Sequence, residues 1–205
     1  MEKHKEGLRV GFETILSRYS RAATQSFGKS NPLWATFETV ADALRSAPEV
    51  HRFKNVVFRW SVGQGRWAIV PWIAALDSRE TTKTSEGVYV IYLFRGDMTG
   101  VYITLDQGTI SMGEGRGRNA LLRERAAKLR GRSKALETAG FDVRAGIDLR
   151  SKARAIRSYE ESTAAFKLYE RGSVPSDNVI LADLAAALSV YSKLVPTNRF
   201  LEASH

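Results

Sequence analysis

The chain contains no cysteine, only three histidines and no run of 18 apolar residues. Without cysteine there is no disulfide framework, no thiolate nucleophile and no cysteine-type zinc site. With His4, His51 and His205 as the only imidazoles, a histidine-rich metal cage or a Ser-His-Asp triad has few candidate bases. The longest apolar stretches, such as Val88 to Phe94, are strand-sized rather than membrane-sized, and the start at Met1, Glu2, Lys3, His4 and Lys5 lacks the apolar core of a signal peptide. A cytoplasmic protein with no membrane partner is the expectation. No linker rich in Gly, Pro or Ser divides the 205 residues, so one domain over 1–196 is expected, with 197–205 as a flexible tail.

What the sequence does have is positive charge, with 31 Lys and Arg against 22 Asp and Glu. Residues 111–160 hold thirteen basic and six acidic groups, so +7 of the net +9 comes from a quarter of the chain. The densest part is Arg116, Arg118, Arg123, Arg125, Lys128, Arg130, Arg132 and Lys134, with Glu124 the only acid among them. Such a field attracts a polyanion, because displacing condensed counterions from nucleic acid favours binding at moderate salt. An ordinary amphipathic surface helix reads the same way: from about Asn119 to Ala139, Leu122, Ala126, Leu129 and Leu136 form an apolar stripe with Arg stems on either side.

Periodicity gives the order of elements. Leu8, Phe12, Ile15, Leu16 and Tyr19 recur at helical spacing over residues 5–23, and Pro32 behind Ser30 or Asn31 opens a second helix that ends before Pro48. From Phe53 the period becomes two, with Val56, Phe58, Trp60 and Val62 on one face of a strand and Val57, Arg59 and Ser61 on the other. Gly63, Gln64 and Gly65 turn the chain into Trp67 to Leu76, where Pro71 forbids a ladder donor and predicts an edge or a bulge. A polar loop spans 78–86. Val88 to Phe94 is apolar on both faces, as a central strand should be, and pairs through Gly96 to Gly100 with Val101 to Asp106. After the basic helix and a short extended piece at 141–145, the spacing predicts helical chain at 151–159, at 162–169 and after Asp177. Strands cluster in the middle and helices at the ends, so the expected class is α+β, with a central, mostly antiparallel twisted sheet and flanking helices.

Motifs for catalysis are missing. Residues 23–30 nearly spell a phosphate-binding loop, but Ala23 stands where the first Gly is needed and a helix, not a strand, precedes it. Gly113, Gly115 and Gly117 lack the spacing of a dinucleotide fingerprint. Asp77, Glu80 and Lys83 would be the residues of a small metal-dependent nuclease, the rival reading, yet they fall on a Thr-rich loop rather than on a strand. His51 precedes a strand, where a surface role is commoner than a catalytic one. No catalytic residue, cofactor or metal is expected; a non-specific basic nucleic-acid binder is the other alternative.

The distinctive block is Gly63, Gln64, Gly65, Arg66, Trp67, Ala68, Ile69, Val70, Pro71 and Trp72, followed by Gly87 to Phe94 and Val101 to Gly108. It resembles the amino-terminal DNA-recognition domain of McrB-type, modification-dependent (type IV) restriction systems, and the likeness extends more loosely over nearly the whole chain. The resemblance implies a module that binds double-stranded DNA carrying 5-methyl- or 5-hydroxymethylcytosine, turns that base out of the duplex into an aromatic pocket, and works with a nuclease or a GTPase or ATPase domain or subunit. By position, the pocket residues it implies are Trp72, Tyr89 and Leu93, and Gly63, Gln64 and Gly65 form the loop that approaches the vacated position. Arg66, Arg116, Arg118, Arg123, Arg130 and Lys134 are the expected phosphate contacts. The chemistry is consistent with this: stacking a flipped base on an aromatic face returns ~1–3 kcal/mol against an unstacking cost of a few kcal/mol, and burying a methyl carbon on an aliphatic wall adds roughly 0.8 kcal/mol.

Overall fold

The computed structural model describes residues 7–109, 117–144 and 146–195, the side chain of Arg154 excepted. His4, His205, Gly113, Gly115, Arg116 and the expected tail 197–205 lie outside the described residues. Three helices come first: α1 (Leu8–Ala22), α2 (Pro32–Arg45) and the single turn α3 (Pro48–His51). Four strands follow, β1 (Val56–Gly63), β2 (Trp67–Asp77), β3 (Val88–Phe94) and β4 (Gly100–Gln107). The basic helix α4 (Arg118–Arg132), α5 (Arg154–Ser162), β5 (Ala165–Glu170) and α6 (Asp177–Leu194) complete the fold.

The strands form one antiparallel sheet in the order β1-β2-β3-β4-β5. Each strand pairs with its neighbour in sequence; the first three connections are turns or loops, whereas α4 and α5 lie within the long connection from β4 to β5. One face carries the larger core, in which Phe12, Ile15, Phe37, Leu44, Leu184 and Tyr191 of α1, α2 and α6 pack on Ile73, Val90, Tyr92 and Ile103. The other face carries Val70, Ala74, Leu76, Tyr89, Ile91, Leu93 and Tyr102, covered by Ile147, Leu149 and Ile156. Sheet residues buried on both sides explain why β3 reads as an unbroken apolar run. The architecture is the expected single α+β domain. No helix among the described residues is long and apolar enough to cross a membrane.

Asn31 caps α2 as its position ahead of Pro32 predicts, its side-chain oxygen accepting from the Leu33 amide at 3.1 Å. Two segments differ from expectation. Residues 162–169 are not helical: α5 stops at Ser162 and the chain enters β5, pairing Ala165 to Glu170 with Leu105 to Gly100. The cause is tertiary, since β4 is buried along its whole length and its outer backbone groups need a ladder partner. The basic helix also ends early. Ser133 turns back to donate its hydroxyl to the Leu129 carbonyl at 2.7 Å, and Lys134–Ala139 continue as a 3₁₀ helix.

Candidate functional site

The corner between β1 and β2 is set by its glycines. Regular pairing breaks between Ser61 and Gly63, whose φ of 116° lies in the region that favours glycine; a Cβ there would stand 2.0 Å from the Arg66 carbonyl oxygen. Gly65, at φ 67°, completes the turn and leaves Gln64 exposed at its tip. Pro71 falls in the irregular stretch and not on an edge strand: β2 lies between β1 and β3, but its pairing with β3 begins only at Trp72 opposite Leu93. No donor is required at Pro71, which is how the bulge tolerates it. The corner is fastened to α1 and to the loop after it, where Tyr19 donates its hydroxyl to the Ala68 carbonyl at 2.9 Å and Trp67 its indole N–H to the Gln25 carbonyl at 3.1 Å.

A cavity of about 540 Å³ opens beside this corner. Trp72, Gly63 and Gln64 line it together with Arg59 and Ser61 of β1, Trp34 and Trp60, and Thr82 to Ser85 of the polar loop. Its size falls within the range of about 300–1,000 Å³ that accommodates a drug-sized ligand, more than a lone pyrimidine ring requires. The loop wall is held from several directions. The Thr81 hydroxyl donates to the Lys83 carbonyl at 2.8 Å and accepts from the Lys83 amide at 3.0 Å, while Glu80 accepts from the Val88 amide at 3.1 Å.

Tyr89 and Leu93 share the sheet face of Trp72 but are wholly buried and do not line the cavity. The Tyr89 hydroxyl donates within the protein, with the Thr84 carbonyl at 2.8 Å and the Gln107 carbonyl at 3.2 Å. Burial pushes that phenol well above its usual range, aided by the nearby charge of Asp106. Trp72 is only half-buried, so of the three expected pocket residues it alone presents a surface.

The expected phosphate contacts divide. Arg66 is exposed next to the Gly63 to Gly65 turn. On α4, Arg118 donates to the Thr109 carbonyl, and Arg123 pairs with Glu161 at 2.9 Å. Arg130 donates from Nε to the Ala164 carbonyl and from a terminal nitrogen to the Thr163 carbonyl, both at 3.3 Å. Lys134 is exposed just past the helix. Arg130 thus satisfies carbonyls where the chain leaves α5. Arg130→Ala is expected to lower unfolding free energy by about 1–2 kcal/mol, whereas Lys134→Ala leaves it unchanged, as urea denaturation would register.

The residues of the nuclease alternative are otherwise engaged. Burial pushes the Asp77 carboxyl up, but Arg79, bonded to both of its oxygens at 2.9 and 2.6 Å, holds it below the usual carboxylate range. Glu80 braces Val88, and Lys83 faces the cavity. Among the described residues no group of three His, Asp or Glu side chains could hold a metal ion. Sequence reasoning did not assign Trp34, Trp60 and Arg59 to a site. Trp34 arrives from α2, and Trp60 and Arg59 point to opposite faces of an edge strand, so only the fold brings them to one cavity.

Comparison with known families finds a match to the model described as MrcB-like, N-terminal domain, over residues 14–196. No curated protein matches the chain.

Proposed function

The chain belongs to the MrcB-like N-terminal domain family, and from that membership we propose that it is the DNA-reading module of a modification-dependent restriction system, selecting duplexes that carry 5-methyl- or 5-hydroxymethylcytosine. The modified base leaves the stack and lies against Trp72, while Gln64 enters the space it vacates. The observation carrying this reading is that Trp72 of β2 and Gln64 of the β1–β2 turn line one cavity. An indole face compensates for lost base stacking regardless of base identity, and preference for the C5 substituent then comes from apolar burial beside it. Tyr89 and Leu93 act from behind, stiffening the wall; for Tyr89 to reach the base, the loop would have to lift and break the bond to Thr84. Gln64 offers an amide to the orphaned partner base where a ring would offer stacking.

The module performs no chemistry of its own on this reading. Cleavage and nucleotide hydrolysis belong to a nuclease or a GTPase or ATPase domain or subunit, and the module works in the cytoplasm, where incoming DNA is met. The test is a binding panel with duplexes identical except for one cytosine that is plain, 5-methylated or 5-hydroxymethylated. The expected result is tighter binding of a modified duplex by at least tenfold. Equal affinities would favour a non-specific basic binder. Cleavage of methylated plasmid by the purified chain with Mg²⁺ or Mn²⁺ would favour the nuclease.

A further inference from the structure

The cavity beside Trp72 has a charge pattern that a neutral base does not require. Arg59 projects from β1, opposite Ala74 and two residues from Ser61, which pairs with Trp72. Lys83 comes from the loop between β2 and β3. Both are exposed, and among the described residues neither side chain is engaged in an ion pair. No Asp or Glu lines the cavity with them. The contrast with α4 is direct, because there Arg123 and Lys128 are paired with Glu161 and Glu124, and Arg118 and Arg130 are bonded to carbonyls. Two cations from separate elements, without an ion pair among the described residues, share a lining that contains no acid and are placed to receive an anion, and the reciprocal bonds between Thr81 and Lys83 fix the backbone from which one of them extends.

We infer that the cavity takes the extruded unit as a nucleotide and not as a base alone: with the ring on Trp72, Arg59 and Lys83 hold the phosphates flanking the flipped sugar. This rests on the base-flipping reading and adds to it the residues that stabilise the extruded backbone. Turning a nucleotide out of a duplex moves its phosphates away from their helical positions, so cations that meet them only there favour the flipped state specifically. A volume of about 540 Å³ accommodates the sugar and part of the backbone as well as the ring.

The test measures binding of wild type, Arg59→Gln and Lys83→Gln to plain and 5-methylated duplexes across a salt series, with thermal melting as a control for folding. Each variant is expected to bind the methylated duplex roughly tenfold or more weakly and to lower its salt slope by about one, while binding to the plain duplex is unchanged. On a duplex bearing neutral methylphosphonates on both sides of the methylated cytosine, the variants are expected to match wild type. Equal weakening on both duplexes, an unchanged salt slope, or a persisting variant effect on the methylphosphonate duplex would overturn the inference. If wild type prefers methylated DNA and the variants do not differ from it, the phosphate clamp alone fails; if wild type shows no preference, base flipping fails first.

Discussion

Trp72→Ala is expected to erase the difference in affinity between modified and plain duplexes while leaving binding to plain DNA intact. Trp72 is the one half-buried aromatic among the three expected pocket residues, and its indole lines the same cavity as Gln64. Removing one base-aromatic stack costs ~1–3 kcal/mol, which is roughly a 5- to 150-fold loss confined to the duplex whose base is extruded. The lost packing against the Leu76 and Tyr89 cluster is a separate effect on stability. Trp72→Phe separates the two, because it restores a stacking face and is expected to recover much of the discrimination. Discrimination surviving in a folded Trp72→Ala protein would refute the pocket assignment.

How much of this was legible before folding depends on the reach of each signal. β3 declares itself because its seven consecutive apolar residues have the length of a strand covered on both sides, and β1 because Val56, Phe58, Trp60 and Val62 recur with a period of two. The Gly63 to Gly65 turn is equally local, since its left-handed backbone angles leave little choice of residue. β5 does not declare itself, because Phe166, Lys167 and Leu168 are only half-buried and carry no clean alternation; its conformation is imposed by β4. The cavity was half legible. Trp72 and Gln64 belong to one contiguous block, but Trp34, Arg59 and Lys83 join them from α2, β1 and a loop, through contacts no local pattern encodes. The same limit applies to charge: the density on α4 is plain in the sequence, but that Arg118 and Arg130 bond to carbonyls depends on where the chain passes at Thr109 and Thr163.

The face that carries Trp72 also contains a buried acid whose ionisation is expected to set the pH dependence of stability. Asp106 on β4 is fully buried, and burial raises its carboxyl to about 7 despite opposing hydrogen bonds from Ser162, the Gln107 amide and Thr163. In the unfolded chain the same group titrates near 3.8. The folded state therefore retains the proton over a range in which the unfolded state has lost it, so the stabilisation is complete below about pH 4 and declines as pH rises to about 7. At roughly 1.4 kcal/mol per unit, the decline is about 4 kcal/mol. Asp106→Asn abolishes this titration while preserving the bonding: the amide oxygen accepts from the Gln107 amide, and the NH₂ donates to Thr163, whose hydroxyl already donates to the Tyr159 carbonyl at 2.9 Å. Relative to wild type, the variant is expected to gain about 4 kcal/mol between pH 4 and pH 8, or roughly 10 °C in melting temperature. A stability difference that stays constant across that range would show that Asp106 does not titrate as its burial demands. Because Thr163 sits where α5 ends, and Ile156 and Tyr159 of α5 belong with Tyr89 and Leu93 to the cluster on which Trp72 packs, ionisation of Asp106 is expected to loosen that cluster. Binding of modified DNA is therefore expected to lose more between pH 6 and pH 8 in wild type than in Asp106→Asn.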